Sequence, residues 1–96
     1  MIELGKKYLV RCKDSGVFFG TVVAVEGQTA KIEDIRKVYE WHGANCLEQL
    51  SQEGTKKGHQ CRLTMKATNI VMDAIQFLPC NENAIELLEA IKEWKE

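Results

Sequence analysis

Val38 to Gly54 reads VYEWHGANCLEQLSQEG, and this stretch decides the fold. Val38, Glu40 and His42 alternate with Tyr39 and Trp41 as the two faces of a strand would. Gly43 can take a positive φ, so the chain can turn there. Asn45 suits an N-cap, with Glu48 three residues on in the capping-box place. Leu47 and Leu50, with Cys46 beside them, give the following turns an apolar face, while Glu48, Gln49, Gln52 and Glu53 are left to solvent. Gly54 is placed to end the helix in a left-handed conformation. The stretch is therefore a strand that becomes a short helix. It can be a hinge that docks the helix on a sheet. Equally, Trp41 and His42 can lie at the rim of a pocket beside a helix N-terminus, where free amides favour an anion.

Before it the pattern is β. Thr29 to Trp41 predicts a long strand whose alternation slips between Asp34 and Arg36, because Ile32 and Ile35 fall on opposite faces. One added residue does this, so a β-bulge is expected there. Val17 to Val25 is rich in β-branched and aromatic residues and predicts a central strand. Gly20 within it signals a bulge, a bend or a close backbone approach. Lys7 to Lys13 alternates, with Tyr8, Val10 and Cys12 on one face. Asp14-Ser15-Gly16 and Glu26-Gly27-Gln28 are turn signals, so these three strands form an antiparallel meander.

After it, Thr55 to Gln60 reads as a mobile polar loop. Cys61 to Ala67 predicts a strand with Cys61, Leu63, Met65 and Ala67 inward. Thr68-Asn69 is a turn or kink signal, and Ile70 to Leu78 is a fifth strand that Pro79 ends. Asn81 to Glu96 predicts a helix, capped by Asn81 or by Asn83 with Glu86. Its stripe of Ala84, Ile85, Leu87, Leu88, Ile91 and Trp94 is wide enough for core packing and a share of a second subunit. The fold class expected is α+β: a five-stranded antiparallel sheet that could curl toward a barrel-like form, one short inserted helix and one C-terminal amphipathic helix.

The 96 residues suit one domain, 1–96, with one modest core. Hydrophobic content of 45% against 28% charged excludes a disordered chain. A net charge of -1 supplies no field toward nucleic acid or an anionic membrane, so any anion site must be local. No apolar run could span a bilayer, and MIELGKKYLV has no signal-peptide anatomy, so a cytoplasmic location is expected. In that compartment Cys12, Cys46, Cys61 and Cys80 are expected as thiols.

For zinc, the pairs His42 with Cys46 and His59 with Cys61 lack the tight spacing of a structural site, and no metal or cofactor is expected. Cys46 and Cys80 each precede a helix, where a thiol can be activated, but both also suit apolar packing. Glu33 and Asp34 read as solvated charges, and no Gly-rich phosphate loop occurs. No catalytic residue is assigned. The more suggestive group is Arg11 and Lys13 beside the Ser15-Gly16 turn, with Arg36 and Lys37 at the bulge. Arginine binds phosphate bidentately and turn amides can cradle it. Phe18, Phe19 or Trp41 could supply a stacking surface. The alternative is a charged sheet face that resists edge pairing.

Gly16-Val17-Phe18-Phe19-Gly20, Trp41-His42-Gly43-Ala44, then Leu47, Gln49-Leu50 and Gly54, and the late Leu78-Pro79-Cys80 together resemble a family of small uncharacterised domains found largely in bacteriophages and prophages. In that family serine is common where Cys46 stands and His42 is not a fixed feature, which speaks against thiol or zinc chemistry. The resemblance implies a phage accessory protein in the host cytoplasm. Some small phage proteins act as oligomeric sponges that sequester nucleotide signals of host defence. The first expectation is therefore a non-catalytic homo-oligomer that binds a small anionic, nucleotide-like ligand. Arg11, Lys13, Ser15, Arg36, Trp41 and His42 are its expected binding residues. The second is a module that binds a host or phage protein through a sheet edge or the last helix. The third is a small nucleotide hydrolase or lyase.

Overall fold

The computed structural model describes residues 2–68 and 70–94. Its strands are β1 (Lys6–Cys12), β2 (Gly16–Glu26), β3 (Thr29–Glu40), β4 (Arg62–Leu63) and β5 (Ile70–Pro79), and its helices α1 (Leu47–Glu53) and α2 (Glu82–Glu89). The architecture is the expected α+β one. The strands form a single antiparallel sheet in the order β2-β1-β5-β3-β4. In addition β2 pairs with β3. The strands β1, β2, β3 and β5 are thus joined in a circuit, and β2 is flanked on both sides, as its composition predicts. Asn69 of the expected Thr68-Asn69 turn lies outside the described residues.

The circuit needs sharp bending, and bulges supply it. Phe19 pairs with Arg36 but Thr21 with Glu33, so β3 carries one extra residue there. That is the bulge read from the slip in alternation. Asp34 takes a positive φ of 51°. Gly20 lies across from it for a steric reason. A Cβ on Gly20 would stand 2.6 Å from Ile32 Cγ2 and 3.0 Å from the Glu33 carbonyl oxygen.

Bending separates two cores. Tyr8, Val10, Cys12, Val22, Ala30, Ile32, Ile35, Met72 and Ala74 fill the inside of the curl. Leu9, Phe19, Val38, Leu63 and Leu78 face outward and are covered by Leu50 of α1, Cys61, and Leu88 and Ile91 at the end of α2. Strand β1 therefore buries Tyr8, Leu9 and Val10 in succession, one face to each core.

Three local expectations are corrected. The helix N-cap is Cys46, not Asn45, and it makes no side-chain cap bond. The expected capping box of Asn45 and Glu48 is replaced by a single bond, Gln49 Oε1 accepting from the Asn45 amide at 2.8 Å. Gly54 does have a positive φ of 70°, but its ψ of -155° is not that of a left-handed helix. A Cβ there would also press on Leu87 and Ala84, so the glycine lets α2 dock. The stretch from Cys61 to Ala67 is a strand only at Arg62–Leu63. Met65 is 53% exposed and lies between the two points where this segment meets β3: Thr64, whose amide donates to the Lys37 carbonyl, and Ala67, opposite Ile35.

The last helix is much shorter than expected. It stops at Glu89, and Asn81 is its N-cap by position. The Asn81 side chain donates to the Gln52 carbonyl on α1 and not to its own helix. After Ala90 the chain leaves the helix, and the Trp94 amide donates to the Leu63 carbonyl at 2.8 Å. A short parallel bridge from Leu63 to Glu93 results, which covers the outer side of β4. Lys95 and Glu96, expected in this helix, lie outside the described residues. Among the described residues no helix is long and apolar enough to cross a membrane.

Candidate functional site

Arg36 ends the last helix. It is among the largest fully buried side chains, with 2% of its surface exposed. Its Nε donates to the Thr64 carbonyl at 3.0 Å, one terminal nitrogen to the Leu88 carbonyl at 3.1 Å and the other to the Ile91 carbonyl at 2.7 Å. The last carbonyls of a helix lack partners within it, and here a guanidinium from the sheet supplies them. Burial pushes its pKa down, while the nearby Glu89 and Glu93 oppose that. An arginine stays charged in a protein. Arg36 is thus a structural tie, and the expectation that it holds a ligand is corrected: no donor-bearing end reaches solvent.

The other five expected binding residues are dispersed. Arg11 is exposed near the end of β1, where it donates to Gln76 Oε1 at 3.3 Å. Lys13 and Ser15 lie exposed in the β1–β2 turn. Trp41 is half-buried and packs with Ala44 and Leu47 against the outer core. His42 Nε2 lies 2.7 Å from Glu40 Oε2. That hydrogen bond, with Arg62 in support, holds the Glu40 carboxyl below its ordinary value. The backbone of His42 is fixed more firmly than its ring. Its carbonyl accepts from Thr55 Oγ1 at 2.5 Å, and the same hydroxyl accepts from the Lys57 amide at 3.0 Å. A Cβ at Gly43 would collide with that hydroxyl. The Trp41-His42-Gly43 turn is therefore the structural hinge of the two readings. The loop after α1, expected to be mobile, is clamped to it through Thr55.

A hollow of about 610 Å³ opens between that clamped loop and the end of α2. Thr55, Lys56, Gly58, His59 and Cys61 form one wall, and Leu87, Ala90, Ile91, Lys92, Glu93 and Trp94 the other. None of the six expected binding residues lines it. The floor is apolar, and Gly58 lies flat on Ile91, which a Cβ would meet at 3.1 Å. Two lysines and one glutamate stand around it, with His59. The indole at its end is fixed before any ligand arrives. Trp94 stacks on Tyr39 with ring centroids 5.1 Å apart, and the Arg62 guanidinium lies 5.1 Å from its centroid. Even so, 45% of Trp94 and 57% of Tyr39 is exposed. The hollow is of the size typical of small-molecule sites, with the same mix of apolar lining and few polar groups. Among the described residues no group of three or more His, Cys, Asp or Glu could hold a metal ion.

The four cysteines are unpaired, and only Cys46 is exposed. Burial pushes the Cys80 thiol up to about 11, so it is protonated at neutral pH. Cys12 is raised as well, by burial and by Asp73.

A family profile described as Domain of unknown function (DUF6948) matches residues 5–88. The chain belongs to this family. No curated protein and no solved structure matches it. The matched span of this DUF6948 domain holds the whole sheet, the Trp41-His42-Gly43 turn, the clamped loop and Leu87 of the hollow. The wall from Ala90 to Trp94 lies just beyond it. Sequence reading missed Lys56, His59, Lys92 and Trp94 as a group. Two segments some thirty positions apart supply them, and the second is placed by contacts from elsewhere in the chain: Arg36 on the Ile91 carbonyl and Leu63 on the Trp94 amide.

Proposed function

We propose that this domain is a non-catalytic binding module for a small anionic, nucleotide-like ligand, held in the hollow between the Thr55–Cys61 loop and the Ala90–Trp94 wall. The observation that carries the reading is the meeting of Lys56, Lys92 and His59 with a pre-positioned indole over an apolar floor. Cations supply charge-assisted hydrogen bonds to phosphate, and the aromatic and aliphatic lining suits a base. The site expected at Arg11, Arg36 and Trp41 is thereby moved, while its chemistry is kept. The resemblance to bacteriophage domains supports an accessory role in a host cytoplasm, with a nucleotide signal of host defence as the ligand and sequestration as the outcome. A homo-oligomer is the assembly that goes with such a sponge, and light scattering reads it.

Thermal shift against cyclic and linear nucleotides tests the reading. A ligand at about 100 times its Kd adds ~2.7 kcal/mol, which for a domain near 100 residues raises Tm by more than about 10 °C. Lys92→Ala should reduce the shift, and heat-denatured complex should return the ligand intact. No shift with any nucleotide would overturn the proposal.

The second reading, a protein-binding module, is favoured by one observation. Tyr39 and Trp94 form an exposed stacked pair, with the Arg62 guanidinium over the Trp94 ring. Tyrosine, tryptophan and arginine are the residue types that dominate interface energetics. Under that reading Tyr39→Ala abolishes partner binding while no nucleotide alters Tm.

A further inference from the structure

A second hollow of about 210 Å³ lies beside the first, lined by Gly43, Glu53, Gly54, Lys56 and Lys57. Lys56 belongs to both. The two are therefore neighbours on either side of one side chain. Building on the ligand-binding reading above, we propose that they form one elongated site for a ligand with two anionic groups, of the chemical class of a linear dinucleotide.

Size divides the roles. The larger hollow falls within the range of whole small molecules, and the smaller falls below the ~300 Å³ where such sites begin. It suits a single phosphate and its ester oxygens better than a base and sugar. Charge agrees with this division. Lys56 and Lys57 stand against Glu53 at the small end, and Lys56 and Lys92 against Glu93 at the large end. Together the two hollows hold three lysines, Lys56, Lys57 and Lys92, against two carboxylates, Glu53 and Glu93, with Lys56 shared between the ends. A ligand with two phosphates one nucleoside apart, as the 5′-phosphate and phosphodiester of a linear dinucleotide are, can use both ends, whereas one with a single phosphate leaves one end unused.

The small hollow is built from fixed backbone. The Lys57 amide is bonded to Thr55 Oγ1, and that hydroxyl also holds the His42 carbonyl. Gly43 has a positive φ of 90°, and its lack of a Cβ lets Thr55 take this place. Gly54 is held by its own amide bond to the Leu50 carbonyl at 2.9 Å. The lysine stems thus leave from a rigid wall, which lowers the ordering cost of binding.

The test compares AMP with the linear dinucleotide pApA by calorimetry, on the full chain and on Lys57→Ala. Lys57 is exposed, and its backbone bond survives the substitution. The expected result is that pApA binds about tenfold or more tightly than AMP, and that Lys57→Ala removes about that factor for pApA while leaving AMP unchanged. Equal affinity for the two ligands, or a Lys57→Ala effect shared by both, overturns the two-anion site and leaves the ligand-binding reading in place. Binding of neither overturns both. A melting curve of Lys57→Ala that matches the parent excludes loss of fold as the cause.

Discussion

At the scale of single residues, Gly20 and Arg36 do more than their types suggest. Gly20→Ala places a methyl group against Ile32 Cγ2 and the Glu33 carbonyl, neither of which is the loose end of a flexible chain. The expected cost is about 1–3 kcal/mol, read as a fall in urea midpoint with unchanged m. Arg36→Leu removes the guanidinium donors from the Thr64, Leu88 and Ile91 carbonyls, of which Leu88 keeps its 3.3 Å bond from the Ile91 amide. The loss should be on the order of 3 kcal/mol or more in the same measurement. Arg36→Lys should recover only part of it, because one ammonium cannot reach three carbonyls as a fork does. The glycine was legible from sequence because an isolated glycine in a β run signals close approach. The arginine was not. A charged residue beside a bulge reads as exposed, and its three acceptors come from distant parts of the chain.

At the scale of elements, the last helix is fastened by charge as well as by Arg36. Glu89 bonds Lys66 at 2.9 Å and Lys7 at 3.2 Å, linking α2 to the segment after β4 and to β1. Burial acts to raise its pKa, but the two lysines outweigh it and hold the carboxyl below the ordinary 4.5. The folded pKa is therefore lower than the unfolded one. The stabilisation is complete above the ordinary value and is lost as pH falls through the folded value. Glu89→Gln should be less stable than the parent by up to ~1 kcal/mol at neutral pH. The two stability curves should be fully separated above about pH 5 and converge as the pH falls below the ordinary carboxylate value, which denaturation across a pH series will show. A constant gap at all pH values would mean that the ion pairs contribute nothing. The helix itself was legible from its apolar stripe, but its end was not. No glycine or proline stands between Glu89 and Trp94, and the terminator is a side chain from β3.

At the scale of the molecule, the strand sequence and the bulge could be read from alternation, but the burial of Leu9 could not, because it shares its face of β1 with Lys7 and Arg11. The circuit of pairings could not, since alternation says which face a residue takes but not which strand lies beside it. The candidate site was legible only in kind. The sequence points to cations with an aromatic around Trp41 and Arg11, where alternation makes the strand faces plain. The hollow instead uses Trp94, which periodicity assigns to a helix stripe, and lysines from a loop without periodicity. Nothing local marks Lys56 and Lys92 as neighbours.

The circuit also bears on synthesis. Strand β5 supplies the link between β1 and β3, and it is the last strand made. Until it leaves the ribosome, a nascent chain carries two bare strand rims, each able to recruit another polypeptide. A product cut short before Ile70 should therefore clump, while one that reaches Pro79 has both rims covered.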